Sequence, residues 1–254
     1  MSPDASTVVP LWLDHASVQV PDLLAATEHL DRRLGLRVTV SPAAPERHGR
    51  VYLDRTYLEV AGGSTELGWR APMYSLRFED PIALRAHLEA AGLGYRFGEY
   101  EGVDGTWDDV EIHADPVPMP ILIRRTRPRG VARSWPPALA EPHRCGARTL
   151  AEVCVGVPSL EAALEPFRAL LALDERPEPS TDPLSGRPRI ELPTAPGRIV
   201  LLEGGSGEIE RLVLGVDSVE ATRDALGRLI REGDAVAWLD PVETFSLRFG
   251  FIEV

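Results

Sequence analysis

Two acid–base side chains, His15 and Glu59, lie in segments that alternate between apolar and polar residues. Such alternation is typical of β-strands, in which successive side chains point to opposite faces. It places His15, Ser17 and Gln19 on one face of a first strand, and Tyr57 and Glu59 on one face of another. An imidazole and a carboxylate that met in one hollow would suit a zinc, iron, manganese or nickel ion.

A catalytic divalent ion usually takes three protein ligands, so this pair would need a third. His48 and His113 are the candidates, and we select His48 together with His15 and Glu59 as the predicted metal set. In that arrangement the ion would polarise a substrate oxygen, and Glu59 would act as the catalytic group that moves a proton.

Further side chains are candidates for contact with a substrate. Strand parity turns Arg77 toward the face that carries Glu59, where it would either form a salt bridge with Glu59 or clamp a substrate carboxylate. Aromatic rings could line the same pocket, although Trp107 is assigned to packing. The predicted substrate contacts are Ser17, Gln19, Tyr57, Trp69 and Arg77.

The elements that must position these residues follow from an internal repeat. Segment 13–23 aligns with segment 150–160, and the same order of strand, capping residue and helix recurs from 74 and from 212. The side chains suited to cap the four helices are spaced by 58 residues in one half and 59 in the other. The repeat therefore predicts a duplicated pair of units. The four caps are Asp22, Asp80, Ser159 and Ser218.

Strand-like runs follow the helices, at 37–40, 50–53 and 56–60 in the first unit, so each unit is predicted to be βαβββ. We place the first domain at 8–126, with units 8–63 and 71–126, and the second at 148–254, with units 148–205 and 208–254. Between them, 127–147 has the Pro, Arg and Gly content of a linker. The predicted class is α+β, because strands outnumber helices and no Gly-rich phosphate turn follows a strand.

Composition excludes several functions. The formal charge of −12 and the scattered arginines argue against nucleic acid as a partner, and the absence of lysine excludes Schiff-base chemistry. The sequence shows neither a signal peptide nor an apolar run long enough for a membrane span. We therefore expect a cytoplasmic monomer or homodimer, without a membrane partner, that binds a small molecule. The two cysteines are expected to be reduced, and Cys154 to be an inert buried thiol.

Four motifs resemble the glyoxalase-like domains of the vicinal oxygen chelate superfamily, which includes bleomycin-resistance proteins and ring-cleaving dioxygenases. They are Leu13-Asp14-His15, Val20-Pro21-Asp22-Leu23, Arg33-Leu34-Gly35-Leu36 and Tyr57-Leu58-Glu59-Val60. The resemblance implies two domains in which paired units form curved, cup-shaped mixed sheets. It also implies that any metal ligands come from the first and fourth strands of a unit.

His15 and Glu59 stand at those ligand positions in the first unit, whereas the second unit has Met73 and either Ile123 or Arg124 there. Half of the family's ligand set is therefore missing from the first domain. In the second domain the corresponding cup offers acidic and basic residues, for which we predict a partly buried ion-pair network. The residues of that network are Glu152, Arg211 and Glu253.

Three functions remain open at this point. The first is a divalent-metal-dependent lyase, isomerase or dioxygenase that acts on a small carbonyl, diol or carboxylate compound in the first-domain cup. The second is a metal-free protein of the same fold that sequesters or senses a small molecule. In the third, one domain is a scaffold that packs against the other, because a fold does not fix a function.

Overall fold

The computed structural model describes residues 9–40, 47–63, 70–102, 105–115, 117–128, 142–227, 231–232, 236–239 and 247–254. Within them a helix lies between strands four times along the chain, which confirms the α+β class. Most of the linker predicted at 127–147 lies outside the described residues, and the division into two domains stays a prediction. No helix within the described ranges combines the length and apolar character needed to cross a membrane.

The first half of the fold contains eight strands and two helices. Its elements, in chain order, are β1 (Trp12–Val20), α1 (Leu23–Leu34), β2 (Thr39–Val40), β3 (His48–Tyr52), β4 (Tyr57–Gly62), β5 (Arg70–Arg77), α2 (Pro81–Ala90), β6 (Gly94–Gly102), β7 (Gly105–His113) and β8 (Ile121–Pro128). The strands pair in the order β2-β3-β4-β1-β5-β8-β7-β6. Strands β1 and β4 are parallel, and so are β5 and β8.

The second half repeats this arrangement. Its elements are β9 (Ala147–Val157), α3 (Leu160–Leu171), β10 (Ser180–Thr181), β11 (Pro188–Pro193), β12 (Arg198–Glu203), β13 (Ile209–Val216), α4 (Val219–Leu226), β14 (Arg231–Glu232), β15 (Val236–Trp238) and β16 (Arg248–Glu253). The strand order is β10-β11-β12-β9-β13-β16-β15-β14. A single pair, Ile209 with Ala71, connects β13 to β5 and so joins the two sets of strands.

The four predicted capping residues begin the four helices. The carboxylates of Asp22 and Asp80 accept hydrogen bonds from backbone N–H groups, and the hydroxyls of Ser159 and Ser218 do the same. Each cap satisfies amides that the first helical turn leaves without a partner. The capping prediction is confirmed at all four positions because it depends on local chemistry alone.

Strand parity in β1 also follows the prediction. Ala16, Val18 and Val20 belong to the apolar core, together with buried residues of α1 such as Leu30. The polar residues of β1 therefore lie on the other face, except where the strand pairing is irregular. The pairing of β1 with β5 shifts register between Leu13 and His15.

Candidate functional site

A cavity of about 270 Å³ lies on the face of the first-half sheet that is opposite the apolar core. Seven strands of the first half contribute side chains to it, so the cavity is a product of the whole sheet. We call it the first-half cavity. It is lined by His15, His48, Arg50, Tyr57, Glu59, Met73, Tyr100, Trp107, Asp109, Ile121 and Ile123.

The Glu59 carboxylate is the centre of the polar side of this cavity. Ser17 Oγ donates a hydrogen bond to Glu59 Oε2 at 2.8 Å. Glu59 Oε1 lies 3.8 Å from Arg50 Nη2 and 3.9 Å from His48 Nδ1, which is longer than a hydrogen bond. Burial acts to raise the pKa of Glu59, but His15, Ser17, Arg50 and His48 together lower it below its usual value of 4.5. Glu59 is therefore ionised at neutral pH.

His15 is held by three neighbours. Its Nδ1 lies 3.0 Å from Asp14 Oδ2, and its Nε2 lies 3.4 Å from Ser75 Oγ. Its ring stacks on Tyr57 with 4.4 Å between ring centroids, and Arg50 Cζ lies 5.4 Å from the centroid of the Tyr57 ring. Asp14 reaches its sequence neighbour because of the local register shift in β1. Both nitrogens of His15 therefore already have polar partners within the protein.

The donor set does not fit the predicted metal ion. Across the described ranges, no three His, Cys, Asp or Glu side chains converge as a metal site would require. His48 and Glu59 approach each other, but the nitrogens of His15 are engaged with Asp14 and Ser75. The sequence interpretation placed the residues correctly by strand parity, but it could not show which atoms would be occupied.

The hairpin of β6 and β7 forms the opposite side of the cavity. Tyr100 and Trp107 are cross-strand partners, and the adjacent pair on the same face is Gly98 with Asp109. A Cβ atom added to Gly98 would lie 2.5 Å from Asp109 Oδ1, so the glycine leaves the space into which this carboxylate extends. The Trp107 side chain, which we assigned to packing, is buried and also lines the cavity.

Of the five predicted substrate contacts, Tyr57 lines the cavity, and the buried Ser17 hydrogen-bonds Glu59 without being a lining residue. The other three lie elsewhere or outside the described residues. Arg77 pairs with Trp12 at the opposite end of β1 from Ser17, and its guanidinium is 3.9 Å from Asp14 and 3.5 Å from Glu79. Arg77 therefore makes these contacts and not the salt bridge with Glu59 that was one of its two predicted roles, because parity fixes the face of a strand and not the position along it. Gln19 is half-buried beyond the cavity lining. Trp69 lies outside the described residues.

Of the remaining histidines considered as ligands, His48 lines the cavity, whereas His113 is exposed at the end of β7. Sequence reasoning missed Arg50, Tyr100 and Asp109 as site residues. Arg50 has a signal that could have been used, since it shares strand parity with His48. Tyr100 and Asp109 depend on how the β6–β7 hairpin folds over the sheet, for which the sequence gives no local signal.

The equivalent region of the second half is filled with ion pairs. Arg211 binds Asp182 through two hydrogen bonds of 2.6 and 2.9 Å, and both side chains are almost fully buried. Arg198 binds Glu152, which is also buried. Burial acts to raise the pKa of Asp182, but hydrogen bonds from Arg211 and Ser185 lower it to about 2. We call Glu152, Asp182, Glu191, Arg189, Arg198 and Arg211 the second-half cluster.

The expected ion-pair network therefore exists, with different partners. Arg211 pairs with Asp182 and Glu152 with Arg198, whereas Glu253 accepts a hydrogen bond from the Val219 backbone at the start of α4. Asp182 lies in the turn after β10, far from Arg211 in sequence, which is why strand parity could not identify the pair. The Cys154 thiol is fully buried, and burial raises its pKa to about 12.

This α+β fold, with a polar and aromatic cavity on one sheet, agrees with the comparisons with known proteins. Residues 13–171 match the family described as "Glyoxalase-like domain", and the chain belongs to that family. The structure also resembles solved structures of dioxygenases. No curated protein matches the chain significantly.

Three similar solved structures are dioxygenases of low sequence identity. A variant of homoprotocatechuate 2,3-dioxygenase from B. fuscum is 14% identical, with a TM-score of 0.64 over 98% of this chain and 73% of that one. The 2,3-dioxygenase LapB from Pseudomonas sp. KL28 is 16% identical, with a TM-score of 0.63 over 98% and 94%. Homoprotocatechuate 2,3-dioxygenase from Arthrobacter globiformis is 13% identical, with a TM-score of 0.63 over 100% and 83%. At these identities the likeness establishes the fold alone.

Proposed function

We propose that this protein binds a small aromatic diol in the first-half cavity and does so without a metal ion. The observation that carries the proposal is the Glu59 carboxylate, ionised and lining the cavity with Arg50 nearby. A hydroxyl group both donates and accepts hydrogen bonds, so it can donate to the carboxylate and accept from the guanidinium. A second hydroxyl on the adjacent ring carbon can hydrogen-bond the same carboxylate and guanidinium.

Other small ligands fit these groups less well. A carbonyl group accepts hydrogen bonds but has no hydrogen that it can donate to the Glu59 carboxylate. A carboxylate compound brings a negative charge to a cavity that already contains Glu59 and Asp109. The remaining lining residues include aromatic and aliphatic side chains suited to a flat ring, and the cavity volume favours one ring over several.

The state of Glu59 favours binding over catalysis. A lowered pKa keeps the carboxylate ionised but makes it a weak base, whereas a catalytic base works best with a pKa near the working pH. The role we expected from the sequence, proton transfer by Glu59, is therefore less well supported than a role as a hydrogen-bond acceptor. Ser17 maintains the orientation of Glu59 through its hydrogen bond.

Titration calorimetry with 4-ethylcatechol under nitrogen tests the proposal. We expect saturable 1:1 binding that is insensitive to chelator and is weakened roughly 10- to 100-fold by Glu59→Gln, which removes a charge-assisted hydrogen bond. Glu28→Gln on the exposed side of α1 is the matched control and should bind as the wild type does. Absence of binding by the wild-type protein would overturn the proposal.

A metal-dependent enzyme of the lyase, isomerase or dioxygenase type is the second candidate. It is favoured by the approach of His48 Nδ1 to Glu59 Oε1, since this buried nitrogen has no hydrogen-bond partner among the described residues. Metal analysis of protein purified without chelator distinguishes the two candidates. Stoichiometric zinc, iron, manganese or nickel that is lost in both His48→Ala and Glu59→Ala would support the enzyme and contradict metal-free binding.

A further inference from the structure

We propose that the hairpin side of the first-half cavity binds a positively charged group, so that the preferred ligand is an aromatic diol with a cationic amine substituent. This inference rests on the proposed function and specifies its ligand class. The groups that carry it are the Asp109 carboxylate and the rings of Tyr100 and Trp107, all of which line the cavity.

Asp109 is a carboxylate with no hydrogen-bond or ion-pair partner among the described residues. Within the part of the chain that the structure describes, it makes no hydrogen bond or ion pair, and it is half-buried at the cavity wall. Its neighbour Asp108, on the opposite face of β7, is bound by Arg124 at 2.6 Å. A half-buried anion that lacks a partner attracts a cation from solution more strongly than an exposed one does, because water screens it less.

The rings beside Asp109 are suited to the same kind of group. Tyr100 and Trp107 are directly opposite each other on β6 and β7, in the row next to Asp109. Aromatic faces carry a negative quadrupole that attracts ammonium groups, and tryptophan and tyrosine are effective in this role. A carboxylate with two neighbouring rings is a combination that favours organic cations over neutral or anionic groups.

The positive charges that the structure describes near this side of the cavity are already balanced. Arg50 lies over Tyr57 and is 3.8 Å from Glu59. Arg96, whose charge also interacts with Asp109, binds both carboxylate oxygens of Glu111 at 2.8 Å. Among the described side chains, the charge of Asp109 is therefore the excess charge of the cavity, and the formal net charge of −12 on the whole chain also favours the approach of cations.

Three catechols whose short side chain is neutral, cationic or anionic test this inference by calorimetry: 4-ethylcatechol, dopamine and 3,4-dihydroxyphenylacetate. We expect dopamine to bind about tenfold more tightly than 4-ethylcatechol, and the anionic compound to bind more weakly than either. Asp109→Asn should remove the preference for dopamine, measured as the ratio of the dopamine and 4-ethylcatechol affinities within that variant. Asp115→Asn, at an exposed position just after β7, is the matched control and should leave the preference unchanged.

The outcomes separate this inference from the proposed function. If 4-ethylcatechol binds and dopamine binds no better, or if Asp109→Asn retains the preference, the cationic site is wrong and the diol site stands. If no catechol binds, the diol site is wrong, and phenethylamine and phenylacetate then test the cationic site alone. Selective binding of phenethylamine that Asp109→Asn abolishes would still support it, and failure to bind either compound would overturn it.

Discussion

The two halves place different chemistry on equivalent strand positions. In the first half, His15 on β1 faces Tyr57 on β4, and the two rings stack. In the second half, Glu152 on β9 faces Arg198 on β12, and the two form an ion pair. The backbone pairing is the same in both halves, parallel and with these residues in register.

A second equivalent position decides whether there is space for a ligand. Ser17 on β1 pairs with Met73 on β5, and Met73 lines the first-half cavity. Cys154 on β9 pairs with Arg211 on β13, and Arg211 reaches across to Asp182. An apolar side chain of moderate size leaves a hollow, whereas a long cation with its counter-ion fills one. The same strand arrangement therefore carries a cavity in one half and buried ion pairs in the other, according to a few side chains.

The largest effect is expected when the second-half cluster loses its buried cation. Arg211→Met leaves the buried Asp182 carboxylate without its main partner, so we expect the free energy of unfolding to fall by about 3–5 kcal/mol. Denaturant unfolding measures this loss. Arg124→Met breaks a half-exposed pair with Asp108 and is the matched control, for which we expect at most about 1 kcal/mol. Equal losses in the two variants would contradict the structural role that we assign to the cluster.

An arginine at position 73, the equivalent of Arg211 in the second half, should close the first-half cavity. We expect Met73→Arg to weaken binding of 4-ethylcatechol by about 100-fold, because the new side chain occupies the space and pairs with Glu59. Met73→Leu, which conserves volume, should bind normally. Calorimetry measures binding, and thermal unfolding confirms that both variants are folded. Normal binding by Met73→Arg would show that the difference between the halves does not depend on this position.

The pH dependence of binding should reflect the ionised state of Glu59. Because its pKa in the folded protein lies below the usual 4.5, the carboxylate accepts hydrogen bonds throughout the range above that value. We therefore expect 4-ethylcatechol affinity to be constant at neutral and weakly acidic pH and to fall in the acid range, as protonation removes the charge. The same titration with Glu59→Gln should be flat. A decline centred at pH 6 to 7 would assign the dependence to a histidine instead.

The smallest effect concerns the thiols. Burial raises the pKa of Cys145 to about 11 and of Cys154 to about 12, so neither forms a thiolate at pH 8. We expect that neither cysteine of the native protein reacts with iodoacetamide over hours, and that both cysteines of the unfolded protein do. Mass spectrometry after timed quenching measures how many cysteines are labelled. Rapid labelling of Cys154 in the folded protein would show that the second half opens more readily than its buried ion pairs imply.

Much of the fold was predictable because its signals are local. The caps Asp22 and Ser159 precede their helices directly, and alternation in β1 and β4 assigned His15, Ser17 and Glu59 to their faces. The site was only partly predictable. The position of Arg77 depends on where β5 aligns along β1, and this register involves residues about 60 positions apart.

By itself, the sequence determined the duplicated order of elements, the α+β class and the presence of a polar strand face, since periodicity and capping act between neighbouring residues. The tertiary structure alone decided that Glu59 lies near Arg50 and His48, that the hairpin brings Asp109 to the same cavity, and that Arg211 closes the equivalent space. The reason is that pairing register and side-chain reach between distant segments fix which charges meet, and no local pattern in the chain encodes them.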